Sequence, residues 1–153
     1  MRQIARGRGP RRALFAVLMR CGEACPEVLE LLEGANTGRF GHPLPTNVTM
    51  GHHIGQAILV CGHDLKDLAG LLEMTAVRGI NVYPHGELLP AHGYPALSKL
   101  PHLAGHYGGV RQNQKRQLAT FPGPILMTTS SLMRPWTGIG NLCSRLAWSG
   151  IPV

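Results

Sequence analysis

The chain has 153 residues, of which 44% are hydrophobic and only 15% are charged. That length suits one domain with a buried core, and that composition excludes an intrinsically disordered chain. Twenty glycines and twelve prolines indicate prominent loops and turns. No apolar stretch approaches the roughly 20 residues that a membrane-spanning helix needs, so we expect no association with a membrane.

The formal net charge of +7 is concentrated at the amino-terminal end. Residues 1–20 contain no acid and six arginines, while the rest of the chain carries a net charge of only about +1. The arginines are Arg2, Arg6, Arg8, Arg11, Arg12 and Arg20. Such an arm can contact phosphates without sequence preference. It has no aromatic residues interleaved with the arginines, and such aromatic side chains are what stack on nucleic-acid bases. We therefore expect no specific nucleic-acid partner.

Residues 1–25 are interpreted as a basic leader that is disordered or unrelated to the domain that follows. Arg11 and Arg12 precede an apolar run at 13–19, which superficially resembles a twin-arginine export signal. The run is short for a signal core, is closed by Arg20 and lacks an Ala-x-Ala cleavage site. An unstructured or misassigned leader is therefore the preferred interpretation over export.

The four cysteines do not form a disulfide framework or a zinc motif. Cys21 and Cys25 have three residues between them, whereas a zinc knuckle has two, and no second pair follows. Cys61 lies in a predicted strand and Cys143 in the tail. Structural thiols in a reducing cytoplasm are the expectation.

Alternating strand and helix patterns predict an α/β fold with a parallel sheet and flanking helices. Strands are predicted at 56–62, 80–83, 101–107 and 123–129. Helices are predicted at 26–32, closing near Gly34, then from Asp64 towards Gly79, through Lys99, and at 112–119. The tail at 136–153 has no coherent period and is unassigned.

Two potential metal ligands follow two of these strands directly. His63 comes after Gly62 at the first strand end, and Glu87 comes after Gly86 beyond the second. The carboxyl ends of parallel strands meet at one edge, which is where ligands bind in open α/β sheets. A neutral imidazole there is a good ligand for iron or another transition metal. The alternatives are that His63 caps a helix or faces solvent, and that Glu87 is a solvated loop carboxylate.

Two further metal sites are weaker alternatives. The spacing His85-x-Glu87-x4-His92 admits zinc, but it does not match the helical zinc motif with two histidines. A mononuclear metal hydrolase built from His63, Glu87 and His85 is the other possibility.

Several longer motifs, in the same order, resemble the hybrid-cluster proteins, also called hydroxylamine reductases or prismane proteins. The motifs are ANT at 35–37, GHP at 41–43, GHDLKDL at 62–68, HGELLPAHGYP at 85–95, YGG at 107–109, QNQ at 112–114 and FPGPILMTT at 121–129. The resemblance covers about 26–135. It implies a partial Rossmann-like parallel sheet, similar to the first Rossmann-like domain of the family but incomplete relative to it.

The resemblance also implies a set of metal ligands. Members of the family carry a cubane iron–sulfur cluster and an iron–sulfur–oxygen hybrid cluster, the latter held by one His, two Glu and four Cys. His63 corresponds to the His ligand and Glu87 to the first Glu ligand. Ser131 stands where the family has its first Cys ligand, and a serine hydroxyl is a poor substitute for a soft thiolate. Neither Cys21 nor Cys25 matches the cubane motif, and Arg111 stands where the family usually has Trp.

The function implied is that of a fragment of a hydroxylamine reductase, an iron–sulfur oxidoreductase. Its family reduces hydroxylamine or nitric oxide with electrons from a donor. Two of the family's seven hybrid-cluster ligands do not hold a cluster, so we expect the chain alone to be inactive, as a gene remnant would be. The alternative is a non-enzymatic α/β module that associates with a complementary chain supplying the missing cysteines.

Overall fold

The computed structural model describes residues 11–128 and the backbone of 143–145. The chain divides into two compact units, Met1–Arg39 and Phe40–Val153. The described residues of the first unit all belong to helix α1 (Arg11–Phe40), which ends at the first residue of the second unit. The second unit contains the sheet and the other helices.

Helix α1 is longer than the sequence pattern predicts. The sequence pattern predicts a helix over 26–32 that closes near Gly34. In the structure Pro26 lies inside a 30-residue helix that passes Gly34. Strong helix formers precede the proline, and near the other end the Thr37 hydroxyl donates to the Glu33 carbonyl at 2.8 Å. Residues 11–25 of the predicted leader are thus helical, while residues 1–10 lie outside the described part. None of the described helices combines the length and apolar character needed to cross a membrane.

The second unit is an α/β fold, as predicted, built on a parallel sheet. The strands are β1 (Gln56–Cys61), β2 (Ile80–His85), β3 (Ile125–Met127) and β4 (Cys143–Arg145), arranged in the order β2-β1-β3-β4. Every neighbouring pair is parallel, with Ile58 opposite Val82 and Leu59 opposite Ile125. Strand β4 lies in the tail, for which the sequence pattern predicted no element.

Both faces of the sheet are covered, as expected for parallel strands. Alternate residues of β1 point to opposite faces. Val60 packs with Leu68 and Leu72, whereas Leu59 packs with Leu118 and Phe121. The helices are α2 (Leu65–Thr75), α3 (Pro95–Ser98) and α4 (Gln114–Thr120), and two 3-10 helices span Gly86–Gly93 and Arg111–Asn113.

The prediction of a regular strand at 101–107 was wrong. This segment runs parallel to β2 but makes only two isolated bridges, Val82 with Leu103 and His85 with Tyr107. Proline has no N–H, so Pro84 cannot donate at the centre of this ladder. Its carbonyl instead accepts from the Tyr107 N–H at 2.9 Å. The regular alternation of hydrogen bonds is therefore interrupted between Leu103 and Tyr107, and the segment remains irregular.

Candidate metal centre

The two predicted ligands lie together at the carboxyl edge of the sheet. The last paired residues of β1 and β2 are Cys61 and His85. His63 and Glu87 each follow two residues later, so the register carries both to the same level. The Nε2 atom of His63 contacts the Oε2 atom of Glu87. The two side chains are 48% and 51% exposed, so this edge is open to a ligand from solvent.

Glycines make both turns possible. Gly62 has φ 144° and Gly86 has φ 55°, conformations that residues with a Cβ rarely adopt. Asp64, next to His63, has a separate task. Its Oδ1 atom accepts from the backbone N–H groups of Lys66 at 2.7 Å and Asp67 at 3.1 Å, which caps α2 as predicted. His63 is therefore held between a glycine turn and a fixed helix start.

The exit of β3 begins at the same edge. Met127 pairs with Cys61, and the next residue, Thr128, donates to the Cys61 carbonyl from its N–H at 2.8 Å and from its hydroxyl at 3.1 Å. Thr128 is 2% exposed, and its hydroxyl is already used in this hydrogen bond to Cys61. The predicted position of the missing thiolate, Ser131, lies outside the described residues.

The two alternative metal sites predicted from the sequence are not formed among the described residues. The Nε2 atom of His85 is 3.0 Å from the Oε1 atom of Gln117, and burial lowers the pKa of this imidazole. His92 is buried beside His106 instead. Among the described residues, no group of three or more His, Cys, Asp or Glu could hold a metal ion. His106 and Gln117 were missed by sequence reasoning, because no spacing or motif marks them.

Comparison with known proteins shows the family of the chain. The model of the Prismane/CO dehydrogenase family matches residues 4–146, beyond the 26–135 over which the motifs run. The match covers most of the sequence. The chain therefore belongs to the Prismane/CO dehydrogenase family.

Several curated relatives are named hydroxylamine reductase. The one from Zymomonas mobilis is 62% identical over 124 residues, which is 81% of this chain but 23% of the relative. The one from Solidesulfovibrio magneticus is 58% identical over 123 residues, covering 80% and 23% of the two chains. The one from Methanocella arvoryzae is 54% identical over 135 residues, covering 86% and 25%. The chain thus spans about a quarter of the length of these relatives.

Proposed function

We propose that this chain is a segment of a hydroxylamine reductase-type oxidoreductase and that His63 and Glu87 are two of its iron ligands. The observation that supports this most directly is the contact between the two side chains at the carboxyl edge of the sheet. A ligand in an open α/β sheet binds at that edge. A neutral imidazole and a carboxylate are both suitable donors to iron.

The residues present fit part of the implied cluster and not the whole. The described part of this edge contributes one imidazole and one carboxylate, while Cys61 packs inward with Leu59 and Ile125. Iron–sulfur clusters are held mainly by thiolates. We therefore propose that the chain alone holds neither the hybrid cluster nor the cubane, and that it has no reductase activity by itself.

In the whole protein, the cluster would supply the electrons, and His63 and Glu87 would hold it at the sheet edge. The proposed substrate is a small nitrogen oxide, hydroxylamine or nitric oxide, and the partner is an electron donor. We also propose a cytoplasmic location, because the free thiols of Cys21, Cys25 and Cys61 suit a reducing compartment.

A chimaera tests the ligand assignment. Residues 26–128 of this chain replace the matching part of the Zymomonas mobilis hydroxylamine reductase, which keeps the thiolates of the recipient. We expect the chimaera to bind iron and to reduce hydroxylamine. Within it, His63→Asn or Glu87→Gln is expected to lower kcat/KM by more than about 100-fold and to lower the iron content, because each removes a direct ligand.

The control for this experiment is His52→Asn, since His52 is an exposed histidine outside the edge. Equal activity of the Glu87→Gln and His52→Asn chimaeras would contradict the assignment. A second exchange, over 26–135, introduces Ser131. We expect this second chimaera to lose the cluster. The substitution Ser131→Cys within it should restore cluster binding.

A second candidate function is the non-enzymatic module that associates with a complementary chain. The observation that favours it is the exposed apolar surface of α1. Its exposed large apolar side chains include Phe15, Leu18, Val28, Leu29, Leu31 and Leu32. Surfaces of this kind usually mark an interaction site.

Co-expression with the remaining three-quarters of the Zymomonas mobilis relative tests this candidate. We expect the two chains to co-elute in size-exclusion chromatography. Leu29→Glu should weaken the complex by about tenfold or more, because it places a charge in an apolar contact. Val77→Glu, at a position that is 94% exposed outside α1, is the control. Separate elution of the unchanged chains would rule this candidate out.

A further inference from the structure

A buried histidine stands directly before the turn that carries Glu87. His85 is the last residue of β2 and is 4% exposed, whereas Glu87 lies at the open edge of the sheet. The Nε2 atom of His85 lies 3.0 Å from the Oε1 atom of Gln117, a residue of α4. Residues outside a metal site often set the direction in which a ligand points. The contacts of Gln117 show how it could act on Glu87 in this way.

A second hydrogen bond on the same oxygen fixes the direction of the first. The Gly109 N–H also donates to the Oε1 atom of Gln117, at 3.4 Å. A backbone N–H only donates, so the accepting atom is the oxygen of the side-chain amide and not its nitrogen. An amide oxygen only accepts, so the Nε2 atom of His85 carries the proton in its bond to Gln117. One oxygen therefore holds donors from two separate segments of the chain.

These two donors flank the turn at Gly86. Gly86 follows His85 directly and has φ 55°. A Cβ placed on Gly86 would lie 3.6 Å from the carbonyl oxygen of Gly109, so the two backbone segments lie close together. The Gln117 oxygen thus holds the residue that enters the turn and the segment beside which the turn lies. Glu87 is the next residue after that turn.

Gly108 makes this arrangement sterically possible. It has φ 81°, and a Cβ on it would lie 2.6 Å from the Cδ2 and Nε2 atoms of His85 and 2.8 Å from the Oε1 atom of Gln117. A larger residue at this position would push the imidazole away from its acceptor. The YGG motif at 107–109 therefore has a geometric reason that the two proposed ligands alone do not provide.

Tyr107 fixes the helix that carries Gln117. The Tyr107 N–H donates to the Pro84 carbonyl at 2.9 Å, which ties the segment at 107–109 to β2. The Tyr107 hydroxyl donates to the Gln117 carbonyl at 3.3 Å, and its ring contacts Phe121 edge to face, with ring centroids 5.2 Å apart. The backbone and the side chain of Gln117 are thus both bonded to this one segment.

We propose that Gln117 is a positioning residue for Glu87: its side-chain oxygen holds His85 and Gly109, and through them the turn that presents the carboxylate at the sheet edge. The role of Gln117 rests on the proposed role of Glu87 as an iron ligand. Because glycine is conformationally free, a carboxylate carried on a glycine turn keeps its place only when the residues around the turn are held. Gln117 acts without touching the metal.

NMR of the full, metal-free chain tests the hydrogen bonds. Long-range proton–nitrogen spectra report which ring nitrogen of His85 carries the proton, and we expect Nε2. Gln117→Met removes the oxygen but keeps the length of the side chain, so both tautomers should then appear. The backbone order parameters of Gly86 and Glu87 should fall from ~0.85 towards ~0.6 in this variant. Gln56→Met, at an exposed glutamine at the opposite end of β1, should change neither readout.

The chimaera that carries residues 26–128 tests the effect on the site. Gln117→Met should lower kcat/KM by about tenfold or more, while the iron content stays near that of the unchanged chimaera, because both proposed ligands remain. Gln117→Glu keeps an accepting oxygen and should restore most of the lost activity. Gln56→Met should leave the activity unchanged.

Three results would overturn the proposal. The first is a proton on Nδ1 of His85 in the unchanged chain, a measurement that stands even if a variant fails to fold. The second is equal activity of the Gln117→Met and Gln56→Met chimaeras. The third is a Gln117→Glu chimaera as impaired as Gln117→Met, which would limit Gln117 to packing. Failure of the ligand assignment is seen separately, because Glu87→Gln would then match His52→Asn while the metal-free NMR differences persist.

Discussion

Leu68→Ala is expected to lower the free energy of unfolding by about 2–5 kcal/mol, the range for a large aliphatic side chain removed from a packed core. Leu68 is 0% exposed and packs with Val60, Leu72 and Val82 between α2 and the sheet. The lost methyl groups leave a cavity that the sheet cannot close, because its strands are already paired. Urea unfolding followed by circular dichroism measures the change.

Met74→Ala is the control on the same helix, since Met74 is 64% exposed. It should change the free energy of unfolding by less than about 0.5 kcal/mol. Similar losses for Leu68→Ala and Met74→Ala would mean that α2 does not pack on the sheet as described.

Acid is expected to destabilise the metal-free chain through its buried histidines. An unfolded histidine has a pKa of about 6.5. The pKa of His106 is about 4 in the fold, because burial and two neighbouring histidines oppose its charge. Below pH 6.5 the unfolded chain therefore binds a proton that the folded chain does not. The stability is fully present above pH 6.5, declines between pH 6.5 and 4, and levels off below.

The loss from His106 is of order 3 kcal/mol across this window, at ~1.4 kcal/mol per unit of pKa shift. His92 and His85, whose pKa values burial also lowers, act in the same direction. The measurement is urea unfolding from pH 7.5 to 4.5 in the presence of a chelator. His106→Gln should flatten the pH dependence, whereas His52→Gln should not. An unchanged slope in His106→Gln would show that its pKa is close to the ordinary value.

The sequence predicted β1, β2, β3 and the proximity of His63 to Glu87, because these features depend on local signals. Continuous apolar runs marked β1 and β2, and in the structure each strand is followed directly by a glycine and a polar side chain, Gly62-His63 and Gly86-Glu87. In a parallel sheet, that pattern is enough to bring His63 and Glu87 to one edge. Their proximity needed no knowledge of the surrounding loops. Their role as iron ligands stays a prediction.

Other features depend on tertiary packing and left no local signal. Pro26 reads as a helix start, but the helix continues through it. The run at 101–107 has a strand-like composition, but its regularity depends on a proline in β2. The pairing of His92 with His106 joins a 3-10 helix to an irregular edge segment. No periodicity relates those two positions.

The register of β1 and β2 couples the proposed metal site to the folding of the sheet. His63 and Glu87 are 24 positions apart along the chain and meet only when the two strands have paired. If the two side chains bind metal as proposed, the pair exists only in the folded chain, so metal binding and the pairing of β1 with β2 would stabilise each other.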